Sequence, residues 1–275
     1  MIKTAVSVGG LRRLPGGVKI ALLVAGSLGV AIAELSSAPY PQDPSYHMFA
    51  DTRAWLGVPF AGNVFSNLGF AIVGLLGLAF VLGSRGSSLL CAPRQSWPYI
   101  TFFTGAVLIG MGSTYYHAAP VNETLFWDRL PMSLAFMALF AAFIADRIDA
   151  RAGAVVALPL LVALGFAGVL HWHLTESAGH GDLRFYFLVQ LIPVVAVPLI
   201  CLLFEGRITT GRHVLYIIGW YAAALGCEKL DHEIYQALGR VMSGHTIKHL
   251  LAAIAIYVVL AMLRAGYGES RQRRT

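Results

Sequence analysis

Residues 63–83 read NVFSNLGFAIVGLLGLAFVLG, an apolar run without a charged side chain that is long enough to cross a bilayer as a helix. Backbone groups inside lipid must bond to one another, and the run lacks the alternation of a strand, so a helix is predicted. Seven further runs share this character, at approximately 18–34, 98–117, 127–146, 153–171, 184–204, 213–230 and 245–263. The pattern predicts an all-α, multi-pass membrane bundle with a seven-helix core and one N-terminal apolar helix.

Composition and charge support a membrane protein. Apolar residues make up 57% of the chain and charged residues 12%, which is roughly half the charged fraction of a soluble domain. The net charge of +6 does not indicate nucleic-acid binding, because 14 of the 20 Lys and Arg fall on segments that alternate to one side if the N-terminus is cytoplasmic. Cys91, Cys201 and Cys227 show neither metal-like nor paired spacing.

The chain divides into four predicted regions. Residues 1–34 combine a basic lead-in with the first apolar helix, which we interpret as a retained anchor, with a cleaved signal peptide as the alternative. Residues 35–62, rich in Pro and aromatic side chains, are predicted to cap the outer face. Residues 63–264 form the predicted seven-helix core, and 265–275 a basic cytoplasmic tail.

The remaining polar side chains concentrate on the outer, non-cytoplasmic side. In this topology that side holds ten of the 14 acidic residues and every histidine except His213. Ionisable groups near membrane helices are costly, so their convergence predicts a functional pocket near the outer face. The expected location is the plasma membrane, or the inner membrane if the protein is bacterial.

One half of this pocket is predicted around the third and fourth helices. Ser113 and His117 are four residues apart and therefore share a helical face. The next helix is expected to re-enter the membrane at Asp128, with Pro131 near its first turn, where a missing N–H costs least. Asp128 then lies at nearly the depth of His117.

The other half is predicted at the start of the last helix. His245 and His249 repeat the four-residue spacing, which can present two imidazoles to one ion. Three histidine nitrogens, with His117 as a candidate third, would make the open tetrahedral site expected of catalytic zinc. Spacing alone leaves open a simple interfacial role for the pair.

The chain resembles the alkaline ceramidase family, within the CREST superfamily of seven-helix membrane hydrolases and receptors. The resemblance spans about residues 60 to 260. It rests on Gly112-Ser113-x3-His117-x5-Glu123-x4-Asp128-x-Leu130-Pro131-Met132, Asn63-x2-Ser66-Asn67, Trp220, Cys227-Glu228 and His245-x3-His249.

The resemblance implies a zinc-dependent amidohydrolase. His117, His245 and His249 would be the zinc ligands, with Ser113 and Asp128 completing the catalytic set. The implied substrate is ceramide or a related N-acyl lipid in the bilayer, cleaved to a fatty acid and a sphingoid-type base. Asp128 would act as general base and Ser113 as donor to the oxyanion.

The resemblance weakens at the family's calcium-binding segment. The chain offers only Asp43, Asp51 and Asn63 in a differently spaced run, with Phe60 where an acidic residue is expected. Zinc is therefore the expected cofactor, and the sequence gives little support for calcium.

Other polar residues are interpreted mainly as structural. Ser66 and Asn67 are expected to bond between helices, and Glu123 to lie in a short outer loop. His171, His173 and His180 are placed on an outer loop at the interface. The stretch that contains Glu228, Asp231, His232 and Glu233 is also interpreted mainly as structural. The less favoured alternative is that one of its carboxylates orients a ligand histidine.

Two alternative functions remain open from the sequence. A zinc-containing lipid receptor or sensor could use the same bundle and site without catalysis. A proton or metal transporter ranks lower, because transporters usually place their sites at the midplane between inverted repeats. No protein partner is evident.

Overall fold

The computed structural model describes residues 8–90 and 93–272. Lys3, Cys91, Arg273 and Arg274 lie outside these ranges. Within them the chain is helical without β-strands, apart from one isolated bridge between Trp55 and Val58. The helices are α1 Val8–Arg12, α2 Gly16–Leu35, α3 Ala61–Ser66, α4 Leu68–Leu82, α5 Ser84–Leu89, α6 Pro93–Ala118, α7 Asn122–Arg147, α8 Leu158–Ser177, α9 Arg184–Leu203, α10 Gly211–Lys229, α11 Asp231–Ala237 and α12 Gly244–Gln272. A 3-10 turn, Pro44–His47, and a π-helical turn, Ala152–Ala157, complete them.

The predicted fold class is confirmed: seven helices form the core and an eighth lies outside it. The core helices form a ring in which each helix contacts the next, in the order α4, α6, α7, α8, α9, α10, α12 and back to α4. The N-terminal helix α2 packs against α9. In the most apolar stretch of α7, 67% of the residues are buried, whereas the corresponding share in α2 is 6%. The helix α7 therefore lies near the centre of the bundle and α2 at its rim.

The apolar helices make the chain an integral membrane protein. Among the described residues, six helices are long and apolar enough to cross a bilayer: α2, α3 with α4, α7, α8 with its π-helical turn, α9 and α12. The two other predicted spans form α6 and α10. They carry more polar residues but pack within the same ring.

The start of α7 corrects one expectation. The helix begins at Asn122, so Pro131 lies well inside it instead of in the first turn, and Glu123 belongs to the first helical turn instead of a loop. Pro131 has no N–H to donate to the carbonyl of Trp127, one turn earlier. Gly112 of α6 approaches that carbonyl so closely that a Cβ on it would lie 2.1 Å from the oxygen. This close approach joins α6 to α7 beside Ser113 and Asp128.

Two further boundaries differ from the predicted ones. The helix α8 continues to Ser177, so His171 and His173 are helical and not on a loop, whereas His180 does follow the helix. The last helix continues to Gln272, beyond the predicted apolar end near 263. Apolar length marks the part of a helix inside lipid, but a helix can extend into water.

The segment between α2 and α3 lies over the end of the bundle that carries His117, and we call residues 36–60 the outer segment. Its backbone is tied down at several points. The Tyr40 carbonyl accepts from the Leu183 N–H at 3.1 Å, the Gln42 N–H donates to Glu176, and the Ala50 N–H donates to Asp231. These bonds attach the segment to helices that are distant in sequence.

Candidate metal centre

Three histidines from two helices meet inside the bundle. His117 comes from the last turn of α6, and His245 and His249 from the first turns of α12. All three are buried, with exposures of 1%, 3% and 2% respectively. One nitrogen from each ring lies within 4.8 Å of the others. The structure therefore brings together the three histidines that the sequence singled out.

The geometry of the three rings fits a metal ion. Nε2 of His117 lies 3.3 Å from Nε2 of His245. Two nitrogens bound to one tetrahedral zinc ion at about 2.0–2.1 Å lie about 3.3 Å apart. Such a pair of buried imidazoles can share either a proton or an ion, and the convergence of a third ring favours an ion. This group can hold a metal.

Ser113 and Asp128 lie next to each other at the contact of α6 with α7. Both are buried, and the Ser113 hydroxyl faces the Asp128 carboxyl group. Oδ1 of Asp128 has no hydrogen-bond partner among the described residues. A buried oxygen without a partner is uncommon in proteins and calls for an explanation, such as a proton, water or ligand that it receives.

The outward-facing nitrogens of the three imidazoles have unequal surroundings. Nδ1 of His249 lies 2.8 Å from the Ser66 hydroxyl, and Nδ1 of His245 lies 3.9 Å from Oε1 of Glu228. Nδ1 of His117 has no partner within the described part of the chain. The bond of Ser66 joins α3 to α12, which is the interhelical role expected for it, but its partner is one of the three clustered histidines.

The acidic residues at the end of α10 and the start of α11 contact the site in two different ways. Glu228 accepts from Nζ of Lys248 at 2.7 Å and from the Tyr46 hydroxyl at 3.2 Å. Asp231 accepts from the backbone N–H of His245 at 2.7 Å and so fixes the beginning of α12. His232, by contrast, contacts the Met48 carbonyl on the surface.

The other histidines on this side lie apart from the cluster. His171 is 3.5 Å from Asp182, His173 packs against the Phe126 ring, and His180 is exposed near the Ala178 carbonyl. His47 bridges the Tyr116 hydroxyl and the Asn122 side chain, which ties the outer segment to α6 and α7.

Phe49 of the outer segment covers the histidines and was not singled out by the sequence. Its ring centroid lies 4.7 Å from that of His117 and 4.5 Å from that of His245, and the residue is 6% exposed. The only signal was indirect: an aromatic residue in a Pro-rich segment that was expected to cover the outer face. The pairing of Phe49 with the imidazoles depends on the folded path of that segment.

A cavity of about 370 Å³ leads from the surface to the cluster. It is lined in part by the outer segment and in part by the region around α11. The lining residues that matter here are Tyr46, Phe49, Glu228, Asp231 and His245. Both carboxylates and one clustered imidazole are thus reached from the same opening.

Arg129, next to Asp128 in sequence, occupies an aromatic cage. Its guanidinium lies 4.2 Å from the Trp172 ring centroid, 4.5 Å from that of Tyr186 and 5.7 Å from that of Tyr46. It also donates to the Gln42 side chain of the outer segment. Cation–π contacts of this kind stabilise a buried guanidinium. Arg129 therefore binds the outer segment to α8 and α9, a role that the sequence did not indicate.

Asp43, Asp51 and Asn63, the residues considered for calcium, make hydrogen bonds to other groups of the chain. Arg53 binds both carboxylate oxygens of Asp51 at 2.8 Å, and this contact holds the pKa of Asp51 below its usual value. Asp43 accepts from the Ser45 N–H, and Oδ1 of Asn63 accepts from Thr246 at 2.8 Å. Arg53 thus supplies positive charge to Asp51 from within the chain.

Comparison with known proteins assigns the family. A family model described as Ceramidase matches residues 60–274, which include α3 to α12 and all five residues of the predicted site. No curated protein and no solved structure matches the chain. The match begins after α2 and after nearly all of the outer segment.

Proposed function

The chain belongs to the ceramidase family, and from this premise we propose that it hydrolyses the amide bond of ceramide or a related N-acyl lipid with the help of zinc. The products are a fatty acid and a sphingoid-type base. Family membership indicates an amidohydrolase with a lipid substrate. The observation that carries the finer proposal is the cluster of three buried imidazoles beside the paired Ser113 and Asp128.

In this proposal His117, His245 and His249 would hold the zinc ion through one ring nitrogen each. Sets of three protein ligands are typical of catalytic zinc sites. When bound, zinc would supply Lewis acidity and make water a nucleophile near neutral pH. Ser113 lies one turn from His117 on α6 and therefore shares a helical face with this proposed ligand.

Asp128 moves the proton. Its unpartnered Oδ1 accepts a proton from the water that attacks the amide carbon, and it returns the proton to the amide nitrogen as the C–N bond breaks. One water is consumed: the fatty acid receives its oxygen and one proton, and the nitrogen receives the other proton and leaves as the amine. Burial against α6 fixes the carboxyl group, so little reorganisation is needed.

Ser113 acts on the carbonyl oxygen. Its hydroxyl donates a hydrogen bond as negative charge develops there. A single donor in such a position contributes on the order of 3 kcal/mol to stabilising the transition state. Gly112 brings α7 close enough for the hydroxyl and the Asp128 carboxyl to act on one substrate group.

The substrate is proposed to reach the site from the outer face. Its polar head enters the cavity that ends at His245, under the outer segment, while its acyl chain remains among apolar helices. Residues 63–264 then act as the catalytic core and 35–62 as its cap. A lipid substrate need not leave the bilayer to react.

The decisive experiment incubates detergent-purified protein with a panel of N-acyl lipids, with and without a chelator, and measures released fatty acid by mass spectrometry. We expect release that the chelator stops and added zinc restores. Hydrolysis that persists in metal-free protein would refute the zinc mechanism. Zinc-loaded protein that binds these lipids without releasing fatty acid would support a receptor or sensor instead.

A further inference from the structure

The contact between Ser66 and His249 links the direction of a hydrogen bond to the position of the proton on the His249 ring. Ser66 ends α3, its side chain is half-buried, and its Oγ lies 2.8 Å from Nδ1 of His249. The same Oγ lies 3.0 Å from the backbone carbonyl of Asn63. A hydroxyl has one proton to donate and can also accept, so Ser66 can donate in only one of these two contacts.

The Asn63 carbonyl fixes this choice because a carbonyl can only accept. If Ser66 donates to Asn63, its oxygen is free to accept from an Nδ1–H of His249, and both contacts become hydrogen bonds. If Ser66 donates to Nδ1, its contact with Asn63 is lost. The arrangement that satisfies both contacts of the Ser66 hydroxyl therefore favours a proton on Nδ1 of His249.

The break between α3 and α4 makes this arrangement possible. The Asn67 N–H donates to the Val64 carbonyl, three residues back, at 3.3 Å. The Asn63 carbonyl instead accepts from side chains: Ser66 at 3.0 Å and Nδ2 of Asn67 at 2.9 Å. A regular helix would direct the Asn67 N–H to Asn63. Because of this interruption, the Asn63 carbonyl can accept from the Ser66 hydroxyl and orient it.

We infer that Ser66 is a positioning residue that presets His249 for metal binding, by holding a proton on Nδ1 so that the Nε2 lone pair faces the other two imidazoles. This inference rests on the proposed metal site. Neither other histidine has an equivalent hydroxyl: Nδ1 of His245 lies 3.9 Å from Glu228, and Nδ1 of His117 has no partner in the described ranges. Among the three clustered histidines, only His249 has its Nδ1 bonded to a hydroxyl within the described part of the chain.

The first test measures metal affinity without measuring hydrolysis. Partners that orient a ligand histidine typically contribute 10- to 100-fold to metal affinity. We expect Ser66→Ala to weaken Zn²⁺ binding about 10- to 100-fold in competition with a chromogenic chelator, and Ser66→Thr, which keeps the hydroxyl, to restore it. Ser27→Ala is the matched control, since Ser27 is half-buried and bonds its own helix at the Leu23 carbonyl. Wild-type affinity in Ser66→Ala would overturn the inference.

A second readout remains informative if Ser66→Ala folds poorly. In metal-free wild-type protein labelled with ¹⁵N-histidine, at alkaline pH where imidazole is neutral, the His249 signals should report a proton on Nδ1. A proton on Nε2 would overturn the inference. Neither readout requires turnover, so zinc-binding protein that hydrolyses nothing would refute only the proposed function. Hydrolytic wild-type protein whose zinc affinity is unchanged by Ser66→Ala would refute only the role of Ser66.

Discussion

Two clusters of buried polar groups, at opposite ends of α7, differ in how completely their hydrogen bonds are made. At the end of α7, Arg147 donates to Oγ1 of Thr209 at 2.7 Å, to the Thr209 carbonyl and to the Phe204 carbonyl at 2.7 Å. Asp146 accepts from the N–H and the hydroxyl of the same threonine at 2.9 and 2.6 Å. We call Asp146, Arg147 and Thr209 the Arg147 lock.

The histidine cluster, near the start of α7, leaves polar atoms without partners. Nδ1 of His117, Oδ1 of Asp128 and Nη1 of Arg129 are buried and make no hydrogen bond with the described residues. Buried polar groups are costly unless satisfied. The lock uses its polar groups to hold a loop, whereas the region of the three histidines has buried polar atoms that the proposed zinc ion and substrate would satisfy. From this difference we expect the two sets of buried polar residues to respond differently to mutation.

The largest effect is expected from His245→Ala. It removes one of three proposed ligands, so the purified protein should lose its zinc and its hydrolysis should fall to background. Zinc content by elemental analysis and fatty-acid release are the measurements. His173→Ala is the control, because His173 is on the same side but packs against Phe126 outside the cluster. Full zinc and activity in His245→Ala would remove it from the ligand set.

The next effect is expected from Asp128→Asn, which keeps the shape of the side chain and removes its ability to take a proton. We expect kcat to fall about 10²- to 10⁴-fold while zinc stays bound. Asp43→Asn is the control, since Asp43 caps a turn of the outer segment. A loss of zinc together with activity would mean that Asp128 serves the metal and not the proton.

Arg147→Met should lower the stability of the protein and leave its zinc affinity unchanged. It leaves the Thr209 and Phe204 carbonyls without their donor and should lower stability by about 3 kcal/mol, the scale of a buried charged hydrogen-bond set. Thermal unfolding in detergent measures this loss. Zinc affinity should be unchanged, and a parallel loss of zinc would show that the two clusters are coupled.

The smallest effect concerns pH and the attachment of the outer segment. Hydrogen bonding to Arg184 lowers the pKa of Asp182 from its usual value to about 2. A carboxylate with a lowered pKa stabilises the fold above its unfolded pKa of about 4, and this contribution is lost as the pH falls toward 2.

Arg184 also donates to the Leu35 and Ser37 carbonyls, so this pair holds the start of the outer segment. Asp182→Asn should therefore be less stable than wild type near neutral pH, and the difference should vanish at about pH 2. Thermal unfolding of both proteins across this pH range is the measurement. A difference that persists at the acidic end would assign the effect to packing.

Sequence was sufficient for the features that depend on local spacing. Apolar length located every helix of the ring, and the four-residue intervals placed Ser113 with His117 and His245 with His249 on shared faces. The resemblance then joined these pairs into one site, and the fold brings the three histidines together. The individual catalytic roles remain predictions.

Contacts between distant residues could not be predicted in the same way. Ser66 and His249 are 183 residues apart, and Gln42 and Arg129 are 87 apart, so only the packed bundle brings each pair together. The start of α7 differs from the predicted one because Pro131 lies inside the helix, where a proline is less common than in the first turn. Phe49 was missed because its importance depends on tertiary packing.

The position of Phe49 has a kinetic consequence. Its ring lies against two of the three histidines, and the outer segment that carries it is held by Asp231 and Arg129. Because Phe49 covers the histidines, we expect an ion bound there to leave faster when this segment lifts. The rate at which a chelator strips the metal should therefore report how often the segment opens, and Phe49→Ala should speed exchange even if affinity at equilibrium changes little.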